Sequence, residues 1–152
     1  MILLKKALQA IEVMTETIIV HYDARYASAI RKIRNRVFSQ EQKVHEEMDF
    51  DGKDSEAMHV LVKEGEEYVG TGRMLRDGHI GRLAVLKEHR RKGFGAEAVR
   101  ALVEEAKRLG MKRVFLGAQL HAAAFYRKLG FTEYGDPFME VNIEHIHMGK
   151  MI

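Results

Sequence analysis

The sequence predicts a single α+β domain in which helices flank a central mixed sheet of mostly antiparallel strands. Three observations support this class. Three strand-like segments follow one another through short turns in the middle of the chain, an amphipathic helix precedes them, and strands alternate with helices after them. Because 152 residues suffice for one hydrophobic core, we assign residues 15–152 to one domain.

The chain before this domain is interpreted separately. We expect residues 1–14 to be an N-terminal extension. It could be a short helix packed on the domain. It could also be sequence that follows an upstream start codon, since Met14 is placed like a second start. The domain then begins with a strand at residues 17–23 and an amphipathic helix at residues 25–42. The helix is predicted from four apolar residues at helical spacing, Tyr26, Ile30, Ile33 and Val37.

An acidic stretch follows this helix, and three strands follow the acidic stretch. The stretch from Glu41 to Glu56 lacks regular periodicity and is interpreted as a loop with at most a helical turn. The strands are predicted at residues 58–65, 66–78 and 79–89. Short turns at Glu64-Gly65-Glu66 and at Arg76-Asp77-Gly78 connect these strands, which favours antiparallel hairpins.

The last third of the chain alternates helices and strands. An apolar stripe predicts a helix from Gly93 to Leu109, with Gly110 as its stop. The remaining predicted elements are a buried strand at 113–119, a helix at 121–129, strands at 131–135 and 139–149, and a turn between those two strands at Pro137.

The composition excludes several classes of function. A net charge of +3 is too small to indicate nucleic-acid binding, and no apolar run approaches the ~20 residues that span a bilayer. The chain has no cysteine, which excludes thiolate metal sites and cysteine nucleophiles, and no closed set of other metal ligands is evident. We therefore expect a cytoplasmic protein that binds no nucleic acid, no membrane and no metal.

Residues 80–99 carry the most informative pattern, a strand that enters a basic turn with glycines where a helix begins. The helix start presents unpaired N–H groups, Gly93 and Gly95 allow close approach of a phosphate, and residues 90–92 add positive charge. The pattern favours a pyrophosphate site, and a solvated basic helix start stays open beside it. Dinucleotide-binding and P-loop patterns fit less well, since Ala98 stands where a third glycine is needed and no Gly-Lys-Ser/Thr follows.

Two blocks of the chain resemble the GNAT N-acetyltransferase superfamily. The first is Arg90-x-x-Gly93-x-Gly95 after the strand Leu83-Ala84-Val85, and the second is Gln119-x-x-Ala122-x-x-Phe125-Tyr126-x-x-x-Gly130-Phe131. An Asn commonly stands in the family where this chain has Gln119. The segments Arg36-Val37-Phe38, Glu41-Gln42 and Gly117-Ala118-Gln119 also resemble the ElaA-like or YjcF-like branch, although His45 replaces a common Pro.

The resemblance implies an N-acetyltransferase that moves an acetyl group from acetyl-CoA to an amine by direct attack. The implied cofactor-binding residues are Leu83, Ala84, Val85, Arg90, Arg91, Lys92, Gly93, Phe94, Gly95, Ala96, Gln119, Ala122, Phe125 and Tyr126. Tyr126 matches the family's general acid, while a core aromatic beside Phe125 is the alternative role. A non-catalytic acyl-CoA sensor is the alternative function.

The general base and the acceptor are predicted from the distribution of charge. The candidates for the base are Glu47, Asp49, His59, His121 and His145, with Glu47 and Asp49 placed best. Seven carboxylates between Glu41 and Glu56 favour a small cationic amine as acceptor, recruited by an acidic rim, and a merely solvated loop is the alternative. The oligomeric state stays open between a monomer and a homodimer.

Overall fold

The computed structural model describes residues 2–4 and 14–152, apart from the side chain of Glu47. Residues 2–4 are helical, and the rest of the predicted N-terminal extension up to residue 13 lies outside the described residues. From residue 14 onward the main elements are β1 (Thr15–His21), α1 (Ala27–Arg34), a π-helix (Asn35–Glu41), α2 (Glu46–Asp49), β2 (Met58–Glu64), β3 (Glu67–Met74), β4 (Ile80–Val85), α3 (Phe94–Arg108), β5 (Arg113–Gln119), α4 (Ala123–Lys128), β6 (Thr132–Glu140) and β7 (Ile143–Met151).

The strands form two antiparallel sheets, in the orders β1-β2-β3-β4 and β5-β7-β6. One parallel bridge between His79 and Phe115 joins them, and the Phe115 N–H donates to the carbonyl oxygen of Gly78 at 3.1 Å. Beyond this bridge the ladder pairings of the described strands do not join β4 to β5. The two strands therefore diverge from a common point and leave a gap between the sheets.

Helices cover both faces of the first sheet, as the sequence predicts. Val60 and Val62 of β2 pack into the core cluster that contains the buried side of α3, whereas Leu61 packs into the cluster that contains Ile30 and Ile33 of α1. Since successive residues of a strand point to opposite faces, α3 and α1 lie on opposite sides of the sheet. The α+β prediction is confirmed.

The first helix departs from the prediction because it widens after Arg34 into a π-helix. At its end, the Gln42 N–H donates to the carbonyl oxygen of Val37 at 3.0 Å, five residues back instead of four. Apolar spacing alone does not separate such a wide turn from an ordinary one. The π-helix brings Val37, Glu41 and Gln42 to the gap between the sheets.

The predicted turn at Pro137 is wrong, because β6 runs through this residue to Glu140. The strand lies at the edge of its sheet, and its register shifts between Tyr134 and Phe138, so Pro137 falls in a segment that has no ladder pairing. The chain turns instead at Val141 and Asn142, which both have positive φ, 46° and 61°. A β-branched residue in that conformation is rare, so the turn is not apparent in the sequence.

Candidate active site

The gap between β4 and β5 holds a cleft of about 830 Å³. Most residues implied by the sequence line it, namely Leu83, Ala84, Val85, Arg90, Arg91, Gly93, Phe94, Gly95, Ala96, Gln119 and Phe125. Lys92, Ala122 and Tyr126 are not among the described residues that line it. Six further residues line the cleft that the sequence did not assign to cofactor binding, namely Val37, Glu41, Gln42, His89, His121 and Ile143. The motif Glu41-Gln42 was the available signal for two of them.

Strand β4 presents backbone polar groups to this cleft. The Leu86 N–H donates to Val69 of β3 at 2.9 Å, so the N–H and the carbonyl of the preceding Val85 point away from β3. The Val85 carbonyl accepts a hydrogen bond of 2.9 Å from Arg90 Nε. Its N–H is left to face the cleft, where it can donate to an extended ligand as a neighbouring strand would accept.

The start of α3 forms the second part of the cleft. Gly93 precedes the helix with φ of 85°, a left-handed conformation that favours glycine, and no side chain caps the helix. The first intrahelical bond runs from the Glu97 N–H to the Gly93 carbonyl at 3.0 Å. The N–H groups of Phe94, Gly95 and Ala96 therefore have no intrahelical partner, and together with the helix dipole they can hold an anion.

The three basic residues before α3 play different parts. Arg90 is bound to Glu41 through both terminal nitrogens, at 2.7 and 2.8 Å. Lys92 Nζ donates to Glu64 of β2 at 3.0 Å. Arg91 lines the cleft, and it forms no ion pair with any other residue that the structure describes. Of the three, Arg91 is therefore the cation best placed to meet a phosphate.

Tyr126 lies next to the cleft, where it contacts the lining residue Phe125. Its ring packs edge to face against Phe125, with centroids 4.9 Å apart, and against Phe131 at 5.9 Å. Burial raises the pKa of Tyr126 to about 12. The phenol therefore stays protonated at neutral pH.

The acidic stretch is neutralised by arginines from distant parts of the chain. Asp49 is buried and contacts Arg34 at 3.3 Å and Arg82 at 3.2 Å, and Asp54 contacts Arg34 at 2.7 Å. Arg73 binds Asp51 through two hydrogen bonds of 2.8 and 3.0 Å, which hold the pKa of that carboxyl well below its usual range. This arrangement corrects the expectation of a free acidic rim, because four of its seven carboxylates are paired with arginines, namely Asp49, Asp51, Asp54 and Glu41.

The candidate bases are dispersed. Asp49 is 3% exposed and engaged as described, and His59 is fully buried with Nε2 2.9 Å from the Asp54 carbonyl oxygen. Nδ1 of His145 contacts the Ile143 carbonyl oxygen at 2.7 Å. His121 is exposed and lines the cleft. Glu47 lies in α2, and its catalytic role stays a prediction from the sequence.

Two further features bear on the sequence-based expectations. His145 and His147 both stack on Phe138, with ring centroids 5.6 and 4.2 Å apart. Across residues 2–4 and 14–152, no group of three His, Asp or Glu side chains is placed to hold a metal ion. None of the helices in that same part of the chain is long and apolar enough to cross a membrane.

Known proteins share this architecture. The chain matches the family model described as Acetyltransferase (GNAT) domain over residues 21–152. It is 36% identical to the Bacillus subtilis N-acetyltransferase YjcF over 122 residues, which are 78% of this chain and 87% of that protein. Escherichia coli ElaA superposes with a TM-score of 0.80 at 28% identity, over 90% of this chain and 99% of ElaA.

A more distant structure shows the fold alone. An aminoglycoside 6′-N-acetyltransferase complexed with coenzyme A superposes with a TM-score of 0.70 at 17% identity, over 88% of this chain and 96% of that protein. The family match covers almost the whole described domain, and the relatives named YjcF and ElaA agree with the branch indicated by the sequence. The chain therefore belongs to the GNAT acetyltransferase family, in its ElaA-like and YjcF-like branch, and has the acyl-CoA N-acyltransferase fold.

Proposed function

We propose that the chain is an N-acetyltransferase that moves the acetyl group of acetyl-CoA directly to a small-molecule amine. One observation carries this proposal: the cleft between β4 and β5 has the free N–H groups of α3 at one end and the Val85 N–H along its wall. The first can hold a pyrophosphate and the second an extended pantetheine arm. A structural neighbour of the same fold is complexed with coenzyme A, which supports this choice of cosubstrate.

The reaction needs no covalent enzyme intermediate. The amine nitrogen forms a bond to the thioester carbonyl carbon, the carbonyl oxygen becomes an oxyanion, and a backbone N–H of β4 stabilises that charge. The carbon–sulfur bond then breaks, the sulfur leaves as a thiolate, and the nitrogen loses a proton. Direct attack agrees with a chain that has no cysteine nucleophile.

Tyr126 is proposed as the donor to the leaving sulfur. With a pKa near 12 it carries its proton at any pH at which the enzyme would work. Complete transfer of the Tyr126 proton to a thiolate is unfavourable with this pKa, since thiols have a lower pKa of about 8–9. We therefore propose that a hydrogen bond from the phenol stabilises the thiolate as it forms, and that the proton follows once the sulfur has left.

Of the two carboxylates that the sequence favours as the general base, only one is proposed here. Asp49 is not proposed as the base, because its carboxylate is buried between Arg34 and Arg82. Glu47 remains the proposed base from its sequence position, one residue before Asp49. Replacement of Glu47 by Gln, with Glu46→Gln as the neighbouring control, should lower turnover only in the first variant if this assignment holds.

The test is release of free thiol from acetyl-CoA in the presence of a panel of small amines, with the acetylated amine identified by mass spectrometry. The proposal expects thiol and acetylated amine to appear in equal amounts, and both to fall in Tyr126→Phe. If acetyl-CoA bound tightly to the wild type but no amine in a broad panel were acetylated, the sensor function would replace the catalytic one.

A further inference from the structure

We propose that Arg82 is a positioning residue that holds the bulge of β4 in the conformation required for acyl transfer. The proposal rests on the proposed function, because it concerns the backbone that would polarise the thioester carbonyl. Arg82 belongs to neither sequence block of the family resemblance, and its side chain is not among the described residues that line the cleft.

The bulge lies where β4 meets the cleft. Thr71 pairs with Ala84 and Arg73 pairs with Gly81, so the single residue Gly72 opposes both Arg82 and Leu83. A Cβ at Gly72 would lie 3.2 Å from Val60 Cγ1 and 3.3 Å from Leu102 Cδ1, so a side chain opposite the bulge would crowd its neighbours. The extra residue changes the direction of the backbone just before Leu83, the first residue of β4 that lines the cleft.

Arg82 adopts a backbone conformation that an arginine would not choose unaided. Its φ is 52°, in the left-handed region that residues other than glycine rarely adopt. Such a conformation persists only where the surroundings determine it. A return of Arg82 to an extended conformation would rotate the peptide group that it shares with Leu83, and the Leu83 N–H with it.

The guanidinium of Arg82 supplies the restraint. It donates to the carbonyl oxygens of Met48 at 3.2 Å and Asp49 at 3.1 Å, and it contacts the carboxylates of Asp49 at 3.2 Å and Asp51 at 3.4 Å. Four acceptors on residues 48–51 thus surround one side chain. Planar guanidinium donors fix direction as well as distance, so the bulge is held in one orientation.

The acceptors of Arg82 are themselves held rigidly. Asp49 is bound by the buried guanidinium of Arg34, whose terminal nitrogen also donates to the Asp49 carbonyl oxygen at 2.7 Å. Asp51 is bound by Arg73, which is 4% exposed. The restraint on β4 therefore leads through Arg82 to a buried ion-pair cluster between the first helix and the sheet, and this gives the cluster a part in the reaction.

The expected effect is on the chemical step. If the Leu83 N–H polarises the thioester carbonyl, loss of its orientation removes an oxyanion donor, which costs about 10²–10³-fold in kcat. Binding of acetyl-CoA through the pyrophosphate and pantetheine should change little. A residue that only stabilised the fold would instead lower the melting temperature without this division between kcat and binding.

The experiment compares Arg82→Gln and Arg82→Gly with the wild type, with Arg113→Gln as a control on an exposed arginine of β5. Glycine keeps the left-handed conformation accessible but removes the guanidinium. Three quantities are measured: kcat, the Kd for acetyl-CoA, and the infrared carbonyl stretch of bound ¹³C-acetyl-CoA. Both Arg82 variants should lose kcat and lose the shift of the carbonyl stretch to lower frequency, with Kd within about threefold.

The outcomes separate this inference from the proposed function. Wild-type kcat and carbonyl stretch in Arg82→Gly or Arg82→Gln, with normal turnover by the wild type, would overturn the role of Arg82 alone. No turnover and no carbonyl shift in the wild type would overturn the proposed function. If both variants failed to fold, Arg82→Lys, which keeps the charge but not the planar donors, should show the same loss of kcat and carbonyl shift, and wild-type values there would overturn the inference.

Discussion

Arg90 binds the carboxylate of Glu41 through both terminal nitrogens, at 2.7 and 2.8 Å, and the carbonyl oxygen of Val85 through Nε at 2.9 Å. One side chain thus connects the end of the π-helix, the end of β4 and the turn before α3. All three segments border the cleft. The first basic residue of the turn therefore connects three segments that border the cleft, and we propose that its neighbour Arg91 meets the cofactor.

The first prediction follows from this division among the basic residues. Arg91→Gln should weaken acetyl-CoA binding about tenfold, because it removes a charge-assisted contact to phosphate worth roughly 1.5 kcal/mol. Lys92→Gln should change binding less than threefold, since Lys92 pairs with Glu64. Calorimetric titration at 0.05 and 0.3 M salt measures both. Equal losses in the two variants would contradict the assignment.

The second prediction concerns the glycine before α3. Gly93 and Gly110 lie at opposite ends of this helix with φ of 85° and 79°, and neither would bring a Cβ within 4 Å of other atoms. Replacement of either by Ala should therefore cost a similar 1–2 kcal/mol of unfolding free energy. Only Gly93→Ala should also weaken acetyl-CoA binding, by about tenfold or more, because its turn presents the N–H groups.

Gly110→Ala serves as the control for Gly93→Ala, since both variants place an alanine at positive φ. Unfolding in urea gives the stability of each, and calorimetry gives the Kd. A Kd for Gly93→Ala equal to that of Gly110→Ala would mean that the start of α3 does not hold the pyrophosphate.

The third prediction tests the donor to sulfur. Tyr126→Phe should lower kcat by about 10²–10⁴-fold and leave the KM for acetyl-CoA within about twofold, because the hydroxyl acts only as the sulfur leaves. Tyr134→Phe, on the exposed strand β6, should behave as wild type. Turnover should not decline toward high pH through ionisation of Tyr126, whose pKa lies near 12. Undiminished kcat with chemistry rate-limiting would remove Tyr126 from the mechanism.

The fourth prediction is a dependence of stability on pH. Burial lowers the pKa of His59 from its ordinary value of 6.5. Below pH 6.5 the unfolded chain binds a proton that the folded chain resists, so the unfolding free energy decreases by up to about 1.4 kcal/mol per pH unit until the folded pKa is reached. Above pH 6.5 this contribution is constant.

His59→Gln isolates the effect of this residue. The Gln amide can donate to the Asp54 carbonyl oxygen, as His59 Nε2 does at 2.9 Å, but it does not titrate. The unfolding free energy of each protein is measured from pH 8 to pH 4.5. The value for the wild type minus that for the variant should decrease as pH falls. A constant difference over that range would show that His59 titrates alike in both states.

The sequence predicted the parts of the fold that depend on local pattern. Periodicity predicted the helix from Gly93 and the strand at residues 113–119. Turn residues predicted the hairpins of the middle strands, which lie between the first helix and Gly93. The structure confirms all of these elements. The glycine turn was recognisable because its residue types serve the local conformation that they adopt, with Gly93 at positive φ.

The rest depended on contacts between distant residues. Asp49 looked like a free carboxylate because its partners Arg34 and Arg82 lie 15 and 33 positions away. The widening of the first helix after Arg34 moved Glu41 into the cleft, and no spacing of apolar residues signals it. Proline usually indicates a turn, but Pro137 lies in the edge strand β6, where a proline is tolerated.

The most direct test of the account is a crystal structure of the protein with acetyl-CoA. Pyrophosphate oxygens should lie within about 3.2 Å of the N–H groups at residues 94–96, with the pantetheine arm beside Val85 between β4 and β5 and the sulfur within hydrogen-bond reach of the Tyr126 hydroxyl. A cofactor bound elsewhere, or one in the cleft with its sulfur remote from Tyr126, would contradict it.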